Sequence, residues 1–300
     1  MNKGLTIGVE IEMTGISRSA AAGVLARFFG TRMERIRDYY DTYEVQARDG
    51  RIWKVMYDGS LTRQKKVDGE VVDAESTYST ELVTPVLDYD DMETLQEVVR
   101  ALRKRGAFVN ESCGLHVHIG ADKFKPQNIR TLLNLVAGKE ELIYRALTIP
   151  AWRKNYYCKK IDRDFLDSLN REKPKTMDGL ADIWYRKYAG SRSAHYHQSR
   201  YHGINIHATF TKGTIEFRLF NSTLHAGKVK AYIQFCMALA SKALEQKTAS
   251  PRQAATDNPK YTFRCFLLRL GLIGDEFKTC RHHLLENLPG DSAFRYGRAA

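Results

Sequence analysis

The alternation of apolar and polar residues predicts four strands with an unusual polar face. In "LTIGVEIEM" (5–13) the apolar residues occupy every second position, which places Glu10 and Glu12 together on the opposite face, about 7 Å apart. The same alternation occurs in "GLHVHIG" (114–120), in residues 202–210 of "YHGINIHATF" and in "GTIEFRLF" (213–220). Each segment pairs an ordinary apolar face with a face of groups that titrate, ligate metals or bind phosphate.

Other patterns predict the elements between these strands. Asp49-Gly50 and Asp68-Gly69 each predict the turn of a hairpin, and "STELVTP" predicts a strand that ends before Pro85. Apolar residues at helical spacing predict helices within residues 88–106, 125–147 and 227–246. Hairpins interleaved with helices indicate an α+β fold with a largely antiparallel sheet.

The polar faces of these strands carry the candidate chemistry. If the strands share one sheet, a single face gathers Glu10, Glu12, Glu81, Glu216, His116 and His118. Four carboxylates packed together repel one another, and a divalent cation removes that cost. Such a donor set favours Mg²⁺ or Mn²⁺. Any one of these pairs alone is more often a solvated strand face or a local ion pair, so the prediction depends on their combination.

Composition narrows the setting. The chain has 300 residues, and its 47 Lys+Arg against 35 Asp+Glu give a net charge of +12, which fits a nucleic acid, an acidic peptide or a nucleotide as partner. Residues 151–200 hold 12 Lys/Arg against 6 Asp/Glu, together with eight aromatic residues. The five cysteines are scattered without a CxxC pair, and no signal peptide or membrane-length apolar run occurs. These features predict a cytoplasmic protein with reduced thiols.

Five motifs in a fixed order resemble the amidoligase family. They are "IGVEIEM", "YDGSL" with "STELVTP", "CGLHVHIG", "RYHGINIHA" and "GTIEFRLFNSTL", and together they span roughly residues 4–240. The family groups carboxylate–amine ligases that are related to glutamine synthetase and glutamate–cysteine ligase. The resemblance implies a curved, mostly antiparallel sheet that forms a partial barrel, with helices outside. It also implies that ATP phosphorylates a carboxylate and that an amine displaces the phosphate to give an amide.

The resemblance also implies roles for particular residues. Glu10, Glu12, Glu81, His116 and Glu216 match the metal-binding positions, and Arg218 matches the arginine that steadies the transferred phosphoryl group. His118 lies beside the metal-binding histidine. Asp58 is expected near the amine or a metal, while Arg200 and Asn205 are expected to bind the carboxylate substrate or the nucleotide. His116, Asp58 and Arg218 are the predicted catalytic residues.

The predicted domains follow from the same match. Residues 1–245 form the catalytic domain, within which 121–200 is a helical insertion or lid, and 246–300 form a helical tail. Without a GxxxxGK(S/T) or GxGxxG stretch, ATP is expected at the metal-lined sheet. Three rival functions remain open: a phosphotransferase on the same fold, a metal-dependent hydrolase, and a basic nucleic-acid-binding protein. The acyl donor, the amine and any oligomeric state are not determined by the sequence.

Overall fold

The computed structural model describes residues 1–253 and 255–296, and they form two compact units. The first unit comprises residues 4–117 and 220–230. The second comprises residues 1–3, 118–219 and, within the described part, 231–253 and 255–296. Ala254 and residues 297–300 of the predicted tail lie outside the described residues.

The first unit is built on a sheet whose strand order is β2-β3-β4-β7-β1-β8. The pairs β2–β3, β3–β4, β4–β7 and β7–β1 are antiparallel, as the hairpin pattern predicted, and the sheet is not closed. A separate hairpin joins β5 to β6. The strands are β1 (Ile7–Met13), β2 (Met33–Arg35), β3 (Tyr43–Gln46), β4 (Ile52–Met56), β5 (Gln64–Val67), β6 (Glu70–Asp73), β7 (Thr80–Val83) and β8 (Gly114–Gly120), whose last residues belong to the second unit.

Two helices, α1 (Arg18–Phe29) and α2 (Met92–Lys104), belong wholly to the first unit. The α2 helix begins after a reciprocal Asp88–Asp91 capping box and ends on basic residues, which suits the helix dipole. Its apolar stripe is buried, with Leu95 and Leu102 fully covered. The predicted hairpin turns are confirmed, since Asp68 and Gly69 both adopt positive φ, as a tight two-residue hairpin turn requires.

The second unit is mainly helical. Its sheet portion consists of the end of β8, then β10, then β9, and β9 pairs antiparallel with β10. The core includes the fully buried rings of Phe217, Phe235 and Phe263. The elements are α3 (Pro126–Ala137), α4 (Glu140–Ala146), α5 (Ala151–Tyr156), α6 (Arg163–Glu172), α7 (Met177–Trp184), β9 (Ile204–Asn205), α8 (His207–Thr211), β10 (Thr214–Asn221), α9 (Ala226–Glu245), α10 (Pro259–Arg269) and α11 (Lys278–Leu285), of which β10 ends and α9 begins within the first unit.

Two sequence-based predictions of elements were wrong in this unit. Residues 202–210 are not one strand, because β9 has two residues and α8 begins at His207. The side chain of Asn205 accepts a hydrogen bond from the His207 backbone N–H at 2.9 Å, which turns the chain into the helix. The helix predicted within 125–147 is interrupted after Ala137, where Gly138 lies so close to the Ser250 carbonyl that a Cβ would approach it to 2.8 Å.

Helices dominate the stretch predicted as an insertion. Five helices, α3 to α7, occupy most of residues 126–184, and α10 and α11 lie in the predicted tail. The domain boundary at 245 and the lid role of 121–200 stay predictions. Within the described ranges, no helix combines the length and the apolar character that a membrane crossing needs.

Candidate metal centre and its neighbouring residues

Two carboxylates face each other across neighbouring strands of the first unit. Glu12 on β1 is the direct antiparallel partner of Glu81 on β7. Their side chains are buried, with Glu12 5% and Glu81 8% exposed. Like charges at directly opposed positions of a sheet destabilise it, and burial strengthens the repulsion. A bound cation would offset this repulsion.

Asp58 adds a third carboxylate to the pair. Oxygens of Glu12, Asp58 and Glu81 lie within 4.8 Å of one another, and we call this group the carboxylate cluster. Asp58 follows β4, and it is fixed from both sides. Its backbone N–H donates to Ser79 Oγ at 3.1 Å, while its Oδ1 accepts hydrogen bonds from the backbone and side chain of Ser60. The sequence placed Asp58 near the site only through the family resemblance.

His116 on β8 lies between the two glutamates of β1. Its Nδ1 is 3.0 Å from Glu10 Oε2, and its Nε2 is 3.8 Å from Glu12 Oε1. The other oxygen of Glu12 accepts the backbone N–H of Gly114 at 2.5 Å. Glu10, Glu81 and His116 form a second group whose ligand atoms lie within 4.8 Å of one another. Each group thus offers three donors to one ion.

The donor chemistry of both groups fits a divalent cation. The carboxylate cluster is an all-oxygen set, which suits Mg²⁺, and the group with His116 replaces one oxygen by an imidazole nitrogen, which Mn²⁺ also accepts. Ligands of an ion bound at about 2.1 Å lie roughly 3–4 Å apart, and the three ligand atoms of each group lie within 4.8 Å of one another, so a small adjustment of the side chains would suffice. The residues present therefore fit the predicted metal.

The sequence interpretation missed Arg18, which braces this region. Its buried guanidinium donates to the carbonyls of Ser76 and Ser79 at 2.7 and 2.9 Å and binds Asp41 at 2.7 Å. It therefore fixes the turn that leads into β7 and Glu81. One signal was available, because Arg18 lies in the first turn of α1, where the helix dipole disfavours a cation.

The second unit holds a compact group around Glu216. Arg218 Nη1 binds Glu216 Oε1 at 2.5 Å, and Asn205 Nδ2 donates to Glu216 Oε2 at 2.7 Å. Glu216 is 2% and Arg218 6% exposed. Both oxygens of the carboxylate are therefore held in place, and Asn205 is set by its antiparallel pairing opposite Glu216.

The remaining predicted residues, His118 and Arg200, also belong to the second unit, where a ring nitrogen of His118 lies within 4.8 Å of a carboxylate oxygen of Glu216. His118 Nδ1 is 2.9 Å from Thr214 Oγ1, and the ring is buried. Arg200 donates to the His195 carbonyl at 3.1 Å, and its guanidinium lies over the rings of Tyr196 and Tyr201. The structure thus brings Glu10, Glu12, Asp58, Glu81 and His116 together in one unit, and Glu216, His118, Arg218 and Asn205 together in the other. That all of them serve one site stays a prediction.

A buried histidine–tyrosine pair next to Asn205 was also missed. His207 Nε2 donates to the Ala194 carbonyl at 3.1 Å, so its Nδ1 accepts from the Tyr185 hydroxyl. Burial lowers the pKa of His207 and raises the pKa of Tyr185 to about 12, which keeps both groups neutral. The pair therefore stabilises the turn into α8 without adding charge.

The family of the chain follows from a comparison with known protein families. The profile of the family described as "Putative amidoligase enzyme" matches residues 3–240, and the chain belongs to that family. The family supports a ligase that joins a carboxylate to an amine. A search of curated proteins found no match.

Proposed function

We propose that the protein is an ATP- and Mg²⁺-dependent amidoligase, with Mn²⁺ as the alternative ion, that forms ADP and an amide through an acyl phosphate. The observation that carries this proposal is the direct opposition of buried Glu12 and Glu81, with Asp58 beside them. A fold keeps such a repelling group when function requires a cation there. Membership of the amidoligase family then favours a reaction in which phosphoryl transfer activates a carboxylate for amide formation.

The chain's own residues have distinct tasks in this proposal. The metal-binding task would fall to the two groups of ligands described above: Glu12, Asp58, Glu81, Glu10 and His116. A bound ion would neutralise charge on the phosphate oxygens. Asp58 and His116 are also proposed as the groups that accept a proton from the attacking amine. The bond between the amine nitrogen and the acyl carbon forms as the bond between the acyl carbon and the phosphate oxygen breaks.

Arg218 has the phosphoryl-steadying task, because its planar, permanently charged fork matches phosphate oxygens. It binds Glu216, which keeps the guanidinium in a fixed orientation. Glu216 is proposed as a further metal ligand, and His118, Arg200 and Asn205 as groups that bind the nucleotide or the carboxylate substrate. The proposal includes the glutamine-synthetase-like partial barrel that the family resemblance implies.

We further propose a cytoplasmic setting and an acidic peptide or protein as the carboxylate substrate. Residues 151–200, which carry an excess of Lys and Arg, support an acidic substrate less strongly than their composition suggested, because several of these cations already bind carboxylates. Lys160 binds Glu141, and Arg186 binds Glu172. The same pairing weakens the nucleic-acid alternative, since paired cations attract phosphate less. The proposed mechanism does not require an oligomer, and no residue role here depends on one.

The decisive experiment is an ATP-dependent reaction with cell extract, followed by mass spectrometry. An amidoligase should produce a species lighter than the sum of its two precursors by one water, and phosphate release from ATP should rise with added amine. Glu81→Gln should abolish both signals. The exposed Glu97, which lies on α2 in the same unit, provides the matched control variant Glu97→Gln.

Other outcomes identify the rival functions. A phosphorylated product without amine dependence would indicate a phosphotransferase, and a metal-dependent cleavage product without ATP would indicate a hydrolase. Salt-sensitive binding to random oligonucleotides, unaffected by Glu81→Gln, would favour the nucleic-acid-binding alternative.

A further inference from the structure

The helical part of the second unit contains a cavity that the proposed chemistry does not use. Its volume is about 60 Å³, and it lies among α6, α7 and the residues that follow them. Because one water molecule needs a cavity on the order of 10–15 Å³, this cavity accepts a group of several heavy atoms. Four aromatic rings line it, and we call them the aromatic box: Phe165, Trp184, Tyr188 and His202.

Neighbouring rings of the aromatic box meet edge to face, with planes 61° to 88° apart. Phe165 and Trp184 have centroids 4.9 Å apart with planes at 82°, and Trp184 and His202 are 5.2 Å apart at 61°. His202 and Tyr188 follow at 6.4 Å and 88°. Rings set in this way resemble the walls of a box, which is how proteins surround alkylammonium groups.

Acidic side chains stand at the same cavity. Asp162 and Asp164 both line it, and Lys187 places its ammonium between them, 3.2 Å from Asp162 and 2.6 Å from Asp164. The other lining cation, Arg186, is bound by both of its terminal nitrogens to Glu172. Lys187 is 52% and Asp164 80% exposed, so this ion pair lies at the solvent-exposed edge of the cavity, where the chain itself holds one ammonium group against the two carboxylates.

His202 adds an acceptor rather than a charge. Its Nδ1 lies 3.0 Å from the Ser199 carbonyl and must donate to it, which leaves Nε2 with a lone pair. Burial lowers the pKa of His202, so the ring is neutral near pH 7. Nε2 is thus suited to an N–H donor. The buried Trp184 Nε1 has no hydrogen-bond partner among the described residues and adds one donor for a ligand oxygen.

We propose that the aromatic box binds a small primary alkylammonium group, with Asp162 and Asp164 neutralising its charge. The inference deepens the proposed function and rests on it for its biological meaning, because an amidoligase requires an amine substrate. The binding itself needs neither ATP nor metal. Lys187 competes for the two carboxylates, so its ammonium acts as the occupant that a ligand displaces.

Titration with n-butylammonium chloride, followed by the indole N–H signals in a two-dimensional NMR spectrum, tests the proposal. The chain has three tryptophans, and Trp184→Phe assigns the signal that reports on the box. We expect that signal to shift saturably at millimolar concentrations, while those of Trp53 and Trp152 stay in place. Neutral butan-1-ol, which has nearly the same shape, should shift it at least tenfold more weakly.

Variants of charged residues give the second readout. Asp164→Asn should weaken n-butylammonium binding at least threefold, and Lys187→Met should strengthen it by a similar factor. The matched control is Asp167→Asn, because Asp167 is exposed on the same helix and does not line the cavity. Thermal melts of each variant establish that it folds.

Two outcomes overturn the inference. Equal binding of butan-1-ol and n-butylammonium would make the cavity an ordinary apolar pocket, and absence of a saturable shift in both the wild type and Lys187→Met would remove the ammonium site. Both results would leave the proposed function standing. Conversely, saturable ammonium binding without any ATP-dependent amide formation would refute the proposed function and keep the box.

Discussion

Replacing Glu81 by Gln tests the metal assignment most directly, because it removes one of two opposed charges while keeping the size and shape of the side chain. The oxygens of the carboxylate cluster lie within 4.8 Å of one another. Two unit charges at about 4.8 Å in surroundings of effective dielectric constant near 20 repel by roughly 3 kcal/mol. Part of this energy is relieved by hydrogen bonds such as that from Gly114 to Glu12.

We therefore expect Glu81→Gln to raise the free energy of unfolding of the metal-free protein by roughly 1–3 kcal/mol, which corresponds to an increase in Tm of several degrees. Mg²⁺ should stabilise the wild type, because a ligand that binds only the folded state adds to its stability. In Glu81→Gln this gain should largely disappear. Metal-free stability and metal response should thus change in opposite directions.

Thermal melts with EDTA, with Mg²⁺ and with Mg²⁺–ATP measure both effects. Glu97→Gln provides the control, since it removes a charge from an exposed helical position of the same unit and should change neither quantity. The reasoning is refuted if Glu81→Gln keeps the full wild-type response to Mg²⁺. A loss of stability in EDTA would show that Glu81 is held by favourable contacts rather than strained by repulsion.

Three further predictions concern other parts of the chain. Arg218→Lys should lower the rate at saturating ATP by at least tenfold with a smaller effect on ATP affinity, because lysine lacks the planar fork; an unchanged rate in steady-state assays would leave Arg218 as an ion-pair partner of Glu216 only. Tryptic cleavage within residues 151–200 should slow when Mg²⁺–ATP and both substrates are bound, and equal cleavage with and without them would exclude the lid. Burial raises the pKa of Glu140 to about 7 from an ordinary 4.5, so the folded state binds the extra proton between these values and stability falls as pH rises through that window. The loss should total roughly 3 kcal/mol by pH 8 in denaturant titrations, and Glu140→Gln should remove it; a wild-type profile in the variant would show that another group titrates.

Local sequence patterns determined much of the fold. Period-two alternation located β1, β8 and β10, and the Asp-Gly pairs located both hairpin turns, because these features depend on residues close together in the chain. The same rule failed at residues 202–210. There the alternation was real, but the Asn205 side chain accepts a hydrogen bond from the His207 backbone N–H, and the chain turns into α8.

The candidate site shows the limit of such reasoning. The sequence by itself placed Glu10 and Glu12 on one face of a strand and supplied Glu81 as a further carboxylate. Only the tertiary structure decided that Glu81 stands directly opposite Glu12, that Asp58 joins them, and that Arg18 braces the turn before β7. Strand register and buried hydrogen bonds join residues that are far apart in the chain. They depend on which faces pack together, and no local pattern of residues contains that information.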